Sequence, residues 1–293
     1  LTSKMMVKQI TLTLISLALA MPLLAQDDLL AGLEAEQADQ KTLVDATFKG
    51  TRLINGHSIE TRKQGVMDFI IAHRFGTIDG GAYELFGLDN ALVRIGLEYA
   101  LTDRLYVGVG RSSFEKTYDG FVKYRLLRQS TGKGSVPLSA TWLSSMALKT
   151  LKDPTYDLQF TDKLAFTHQL LLARKFNNGL SLQLMPTWVH RNLIGETDLN
   201  NDILALGVGG RIKLSQRVAL CAEYYYQFQH LNENTQNALA TGVDIETGGH
   251  VFQLQFTNAT SMVPKGFVSE TTNDFFKGEI HFGFNVSRTF QLN

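Results

Sequence analysis

The chain has 293 residues, with 28 lysines and arginines balanced by 28 aspartates and glutamates, and one cysteine. That balance argues against a nucleic-acid partner, and a lone cysteine excludes an intrachain disulfide. No stretch beyond the N-terminal leader is apolar enough for a spanning helix, so any membrane crossing must be made by strands.

In chain order, residues 1–25 read as a secretory signal. Lys4 and Lys8 precede an apolar run from Ile10 to Leu24, with small or aliphatic residues before Gln26. Translation is expected to start at Met5 or Met6. Residues 26–41 are acidic and helix-prone, an amphipathic helix or flexible lead-in. The tract Phe48–Ser58 follows. It could be an extra strand, but that would make the strand count odd, so 26–64 is assigned to the periplasm or the lumen mouth as a plug.

From Val66 onward, period-two alternation predicts twelve strands at 66–75, 90–101, 104–114, 118–128, 136–148, 160–175, 180–192, 201–214, 217–229, 237–245, 249–260 and 275–291. Most reach the roughly 9–11 residues that a tilted strand needs to cross a bilayer. Tight turns at 101–104, 177–179, 215–217 and 246–249 join even strands to the following odd ones, and the intervening links are longer. Outer-membrane barrels put short turns in the periplasm and long loops outside. The predicted fold is therefore all-β, an antiparallel up-and-down transmembrane β-barrel over 65–293. A soluble β-sandwich is the competing reading.

The alternation sorts the side chains into two faces. Val93, Ile95, Leu97 and Tyr99 point to lipid and leave Arg94 and Glu98 inside. Val122 and Tyr124 point out, with Lys123 and Arg125 inside, and Glu223 faces in from a strand whose outer face is Tyr224, Tyr226 and Phe228. In the last strand Lys277, Glu279 and His281 are expected to line the lumen. These charges form either a selectivity lining or a network of paired groups filling a narrow barrel. Cys221 faces inward as a small filler.

Other chemistry is sparse. Ser144 and His168 point outward on adjacent strands, an arrangement like that of twelve-stranded outer-membrane phospholipases. No third member or oxyanion donor accompanies them, so an enzyme is not expected. The seven histidines show no metal-ligand spacing, and no cofactor is expected.

The stretches Phe48–Ser58, His73–Gly76, Leu85–Asp89, Thr102–Arg104, Tyr118–Gly120, Gly248–Phe252 and Gly283–Arg288 together resemble a family of Gram-negative outer-membrane β-barrel proteins of unknown function. The resemblance implies an outer-membrane barrel and no activity. Two functions stay open: a narrow or gated pore for a small polar solute, or a closed structural barrel that binds an envelope protein. Besides membrane lipid, the partners expected are therefore a small solute or an envelope protein. For the second reading Phe48, Arg52, Asn55 and His57 are the candidate contacts, and their other role is to plug the lumen.

Overall fold

A computed structural model describes residues 40–152, 154–193, 195, 198–248 and 250–292. The leader and most of the lead-in lie outside the described residues.

Twelve strands form one closed antiparallel barrel in which every strand pairs with its sequence neighbours. They are β1 (Val66–Thr77), β2 (Ala91–Ala100), β3 (Leu105–Ser112), β4 (Tyr118–Leu127), β5 (Ser139–Leu148) and β6 (Leu164–Lys175), then β7 (Leu180–Arg191), β8 (Asp202–Lys213), β9 (Val218–Gln227), β10 (Ala238–Thr247), β11 (His250–Thr257) and β12 (His281–Gln291). The seam joins β12 to β1, with Gln291 opposite Val66 and Gly283 opposite Arg74. A closed sheet leaves no edge, so every strand backbone finds its partner within the wall. Separately, a small unit pairs Thr42–Leu43 antiparallel with Ser130–Thr131.

Short polar side chains close the tight turns. Thr102 Oγ1 accepts from the backbone N–H of Leu105 at 2.9 Å, and Asn177 Oδ1 accepts from Gly179 and Leu180 at 2.7 and 2.8 Å. Ser215 Oγ accepts from Val218 at 3.1 Å. These local bonds satisfy donors that the ladder leaves free at each reversal.

The wall has the two faces that the alternation predicts. Outward residues such as Ile95, Val109, Val122, Leu184, Val208 and Tyr226 are exposed, while Arg94, Glu98, Lys123 and Glu223 are buried inside. An apolar face without protein cover needs hydrocarbon around it.

The last strand starts later than its alternation suggests. Asp274 Oδ1 accepts from Phe276 N at 2.9 Å, Glu279 Oε2 accepts from Asp274 N at 2.6 Å, and Gly278 turns the chain at φ 87°. These bonds wind Phe275–Lys277 into a 3-10 turn, and the strand begins at His281. Lys277 and Glu279 therefore do not line the lumen. Lys277 projects from the long-loop end with its side chain 72% exposed.

The preceding link, 258–280, is longer than expected and folds inward. It carries a short helix α1 (Pro264–Ser269), started by Pro264 at a position where a missing N–H costs nothing. Every residue of α1 is buried. Phe267 packs on Tyr225 of β9 at 5.3 Å between ring centroids.

Candidate functional site

Residues 47–61 lie inside the barrel. Their centre is a hairpin: Arg52 bridges His57, Leu53 N donates to Gly56 O at 2.8 Å, and Ser58 N donates to Thr51 O at 3.0 Å. Asn55-Gly56 forms the tip, the dipeptide most suited to a tight reversal. Phe48, Leu53, Ile54 and Ile59 are all buried, and most of them join the wall's inward apolar residues in one core.

The wall grips this hairpin mainly by its backbone. The Glu223 carboxylate accepts from the N–H groups of Ile54, Asn55 and Gly56 at 3.3, 2.7 and 3.2 Å. Successive N–H groups converging on one carboxylate make an anion nest, with the anion supplied by the wall. Lys123 Nζ donates to the carbonyls of Thr51, Ser58 and Glu60 at 3.0, 3.2 and 3.3 Å. Arg125 reaches Thr61 O, Gln183 reaches His57 O, Gln253 reaches Leu53 O and Asn285 reaches Ile54 O. Buried backbone amides left without partners would be costly, and these wall side chains supply partners for them.

Side chains add to the grip. Arg52 pairs with Glu98 at 2.6 Å, and Thr51 donates to the same carboxylate at 2.9 Å. His57 accepts from Arg52 through Nδ1 at 2.7 Å and sits edge-on to Phe121. Burial first, and then the Arg52, Lys123 and Arg94 cations, hold its imidazole well below the usual range. The ring is therefore neutral and free to accept that bond.

Arg94, Glu98, Lys123, Arg125 and Glu223 thus all face the lumen, and four of them touch the hairpin directly. Arg94 instead pairs with Asp119 through Nε at 2.9 Å. His281 lies apart from the hairpin, bonded to Thr260, Asn273 and the Phe75 carbonyl. Phe48 is anchored through its N–H to Glu60 Oε1 at 3.0 Å, and Asn55 Nδ2 donates to Thr257.

From the long-loop end the inward-folded link meets the hairpin. It is fixed by a chain of ions that sequence reasoning missed, because its members are scattered over separate loops. Lys265 pairs with Glu115 at 3.1 Å and with Glu270 at 2.8 Å, and Lys149 pairs with Glu115 at 2.6 Å. Arg191 joins Glu270 at 3.2 Å to Asp198 at 2.9 Å. Burial works against charge on Lys265, but Glu270 and Glu115 outweigh it and raise its pKa above the ordinary value. For Glu115 burial is likewise outweighed, by Lys265 and Lys149, so its pKa is lowered.

The sign of each shift sets the pH window. The stability from Glu115 is present above its ordinary pKa and is lost as pH falls through the depressed folded value. The stability from Lys265 is present below its ordinary pKa and is lost as pH rises through the raised one. Amide-exchange protection factors for 266–270 are expected to hold at neutral pH and to drop below about pH 4. Unchanged protection at pH 3 would remove the ion chain as the fastener of this loop.

On the outer face Ser144 Oγ lies 2.9 Å from His168 Nδ1, beside an apolar groove of about 520 Å³. Trp142 Nε1 also donates to that hydroxyl at 2.9 Å, and the imidazole is stacked between Trp142 and Trp188. The pair is satisfied within an aromatic stack of the kind found at membrane interfaces. Among the described residues, no carboxylate is bonded to His168.

The profile of a family described as "Membrane bound beta barrel domain (DUF5777)" matches residues 48–290, a span that includes the hairpin. No curated protein matches the chain. Among solved structures, the NanC porin aligns at 8% identity over 77% of this chain and 100% of its own, with a TM-score of 0.47. Omp33 of Acinetobacter baumannii aligns at 8% identity over 78% and 100%, with a TM-score of 0.44. Outer membrane phospholipase A of Escherichia coli aligns at 11% identity over 82% and 98%, with a TM-score of 0.43.

Proposed function

The chain belongs to this family of membrane-bound β-barrel domains, and from that premise we propose that it is a gated outer-membrane pore for a small polar solute, held shut by its own N-terminal hairpin. The observation that carries the reading is the chemistry of the grip. The wall behind the hairpin is lined by Glu98, Lys123, Arg125 and Glu223, side chains able to face water once the hairpin is gone. Part of the wall behind the hairpin is apolar, and a purely structural filler would need only that part, not charged side chains with matched partners beside it. Twelve strands lie between the eight that side chains fill and the sixteen that leave an open channel. Removing the hairpin would leave a narrow, charged passage constricted by the loop that carries α1.

Planar-bilayer recording tests this with three proteins: the full mature chain, a form lacking 26–64, and that form also lacking 259–273. The expected sequence is silence, small steps, then larger steps. Silence from all three, each retaining heat-modifiable gel mobility, would leave the closed interaction barrel in its place.

A further inference from the structure

On the lipid-facing side of the wall one cross-strand row runs Tyr99, Val107, Val122, Ser144, His168 and Trp188, from β2 to β7. The row beside it sets Val109, Gly120 and Met146 on β3 to β5. Valine, glycine and serine thus stand between Tyr99 on one flank and Met146 and His168 on the other. They leave the apolar groove of about 520 Å³, open toward hydrocarbon. That volume falls within the roughly 300–1,000 Å³ of small-ligand sites.

His168 closes one end of the groove, and a count of protons assigns its tautomer. Trp142 Nε1 can only donate, so it takes one lone pair of Ser144 Oγ. If the serine hydroxyl then donates to His168 Nδ1, at 2.9 Å, every group of the cluster is used except the far ring nitrogen. The reverse direction would strand the serine proton as well as that nitrogen. The ring proton is therefore assigned to Nε2. Among the described residues Nε2 has no hydrogen-bond partner. A donor left bare beside hydrocarbon is costly, and the acceptors that a bilayer offers are the ester carbonyls of its lipids.

We propose that the groove binds one zwitterionic glycerophospholipid, an acyl chain lying along Val107, Val109, Gly120 and Val122 and its ester carbonyl accepting from His168 Nε2. Asp202 stands at the long-loop end of the same aromatic stack, where its carboxylate accepts from Trp188 Nε1 at 2.8 Å. Its negative charge selects against phosphate-dense heads such as lipopolysaccharide. The site needs the barrel in a membrane and stands whether or not the barrel conducts.

The chain's two tryptophans, Trp142 and Trp188, both stack on His168, so intrinsic emission reports on this site alone. The test reads that emission from the full mature chain in vesicles of phosphatidylcholine with brominated acyl chains. The quenching lipid is diluted either with ordinary diacyl phosphatidylcholine or with its dialkyl ether analogue, which lacks the carbonyls. Half-maximal quenching is expected at a roughly threefold lower bromolipid fraction against the ether lipid, the worth of one hydrogen bond. H168F, which keeps an aromatic ring but loses the donor, is expected to make the two curves coincide. G120L, which fills the groove and leaves His168 in place, is expected to do the same, and it decides if H168F fails to insert. Coincident curves in the unaltered protein, or a preference that survives G120L, would overturn the proposal. So would quenching that appears only on diluting the protein in lipid, because a second copy would then cover the groove.

Discussion

Replacing Glu223 by alanine is expected to release the hairpin while leaving the barrel closed. Among the described residues the carboxylate is the sole partner of the Ile54, Asn55 and Gly56 N–H groups at the tip, and all four residues are buried. Hydrogen bonds to a charged group contribute roughly 1.5–3 kcal/mol each, and stranding buried donors adds their desolvation cost. Those contributions overlap, so the grip should weaken by about 3–5 kcal/mol, the range for breaking a buried charged contact. The twelve-strand ladder does not depend on this side chain, so heat-modifiable mobility should persist. The readout is limited proteolysis at Arg52, Arg62 and Lys63, slow in the unaltered protein and fast in Glu223→Ala. Glu223→Gln should lie between them, because its amide keeps one acceptor but turns a donor toward N–H groups. Equal cleavage rates in all three proteins would mean that the nest does not hold the tip.

Gly56→Ala acts on the same contact from the other side. A Cβ there would fall 2.1 Å from Tyr225 Oη and 3.2 Å from Glu223 Oε2. Tyr225 is itself pinned between Phe267 and Met185, so it has little freedom to retreat. Overpacking of this kind typically costs about 1–3 kcal/mol. The expected result is faster proteolysis of the hairpin and, in bilayers, conductance without any deletion. Adding Tyr225→Phe removes the clashing oxygen and should restore part of the protection, a coupling readable in a double-mutant cycle. Full protection in Gly56→Ala alone would show that the tip sits less tightly than its geometry implies.

The barrel was legible because its signal is local. Period two, turn residues at regular intervals and the parity of short and long links all reside in neighbouring residues, and they yielded twelve strands with closely matching bounds. The alternation misled most where it ran on into a loop, at Phe276–Ile280, because hydrophobic pattern alone cannot see a capping Asp274 or a left-handed Gly278. The site was half legible. Phe48–Ser58 stood out as polar sequence beyond the strands, and Asn55-Gly56 is a hairpin signal that could have been read directly. What sequence could not give was the pairing of Glu223 with a tip more than 160 positions earlier, or of Lys265 with Glu115 150 positions away. Such contacts follow from closure of the wall, and no spacing rule encodes them.

The hairpin is joined to β1 by a link of only a few residues, and that link is itself tied to the rim. Gly65 N donates to Ala100 O, and Leu292 N donates to Gly65 O. A displaced hairpin is therefore a tethered ligand. Short tethers hold their cargo at millimolar effective concentration, so re-entry outcompetes any diffusing peptide present at ordinary levels. Opening by displacement would be brief and self-terminating, and its duration would depend on the length of the 61–65 leash. Lengthening that leash with glycine and serine should prolong open intervals without touching a single residue of the wall.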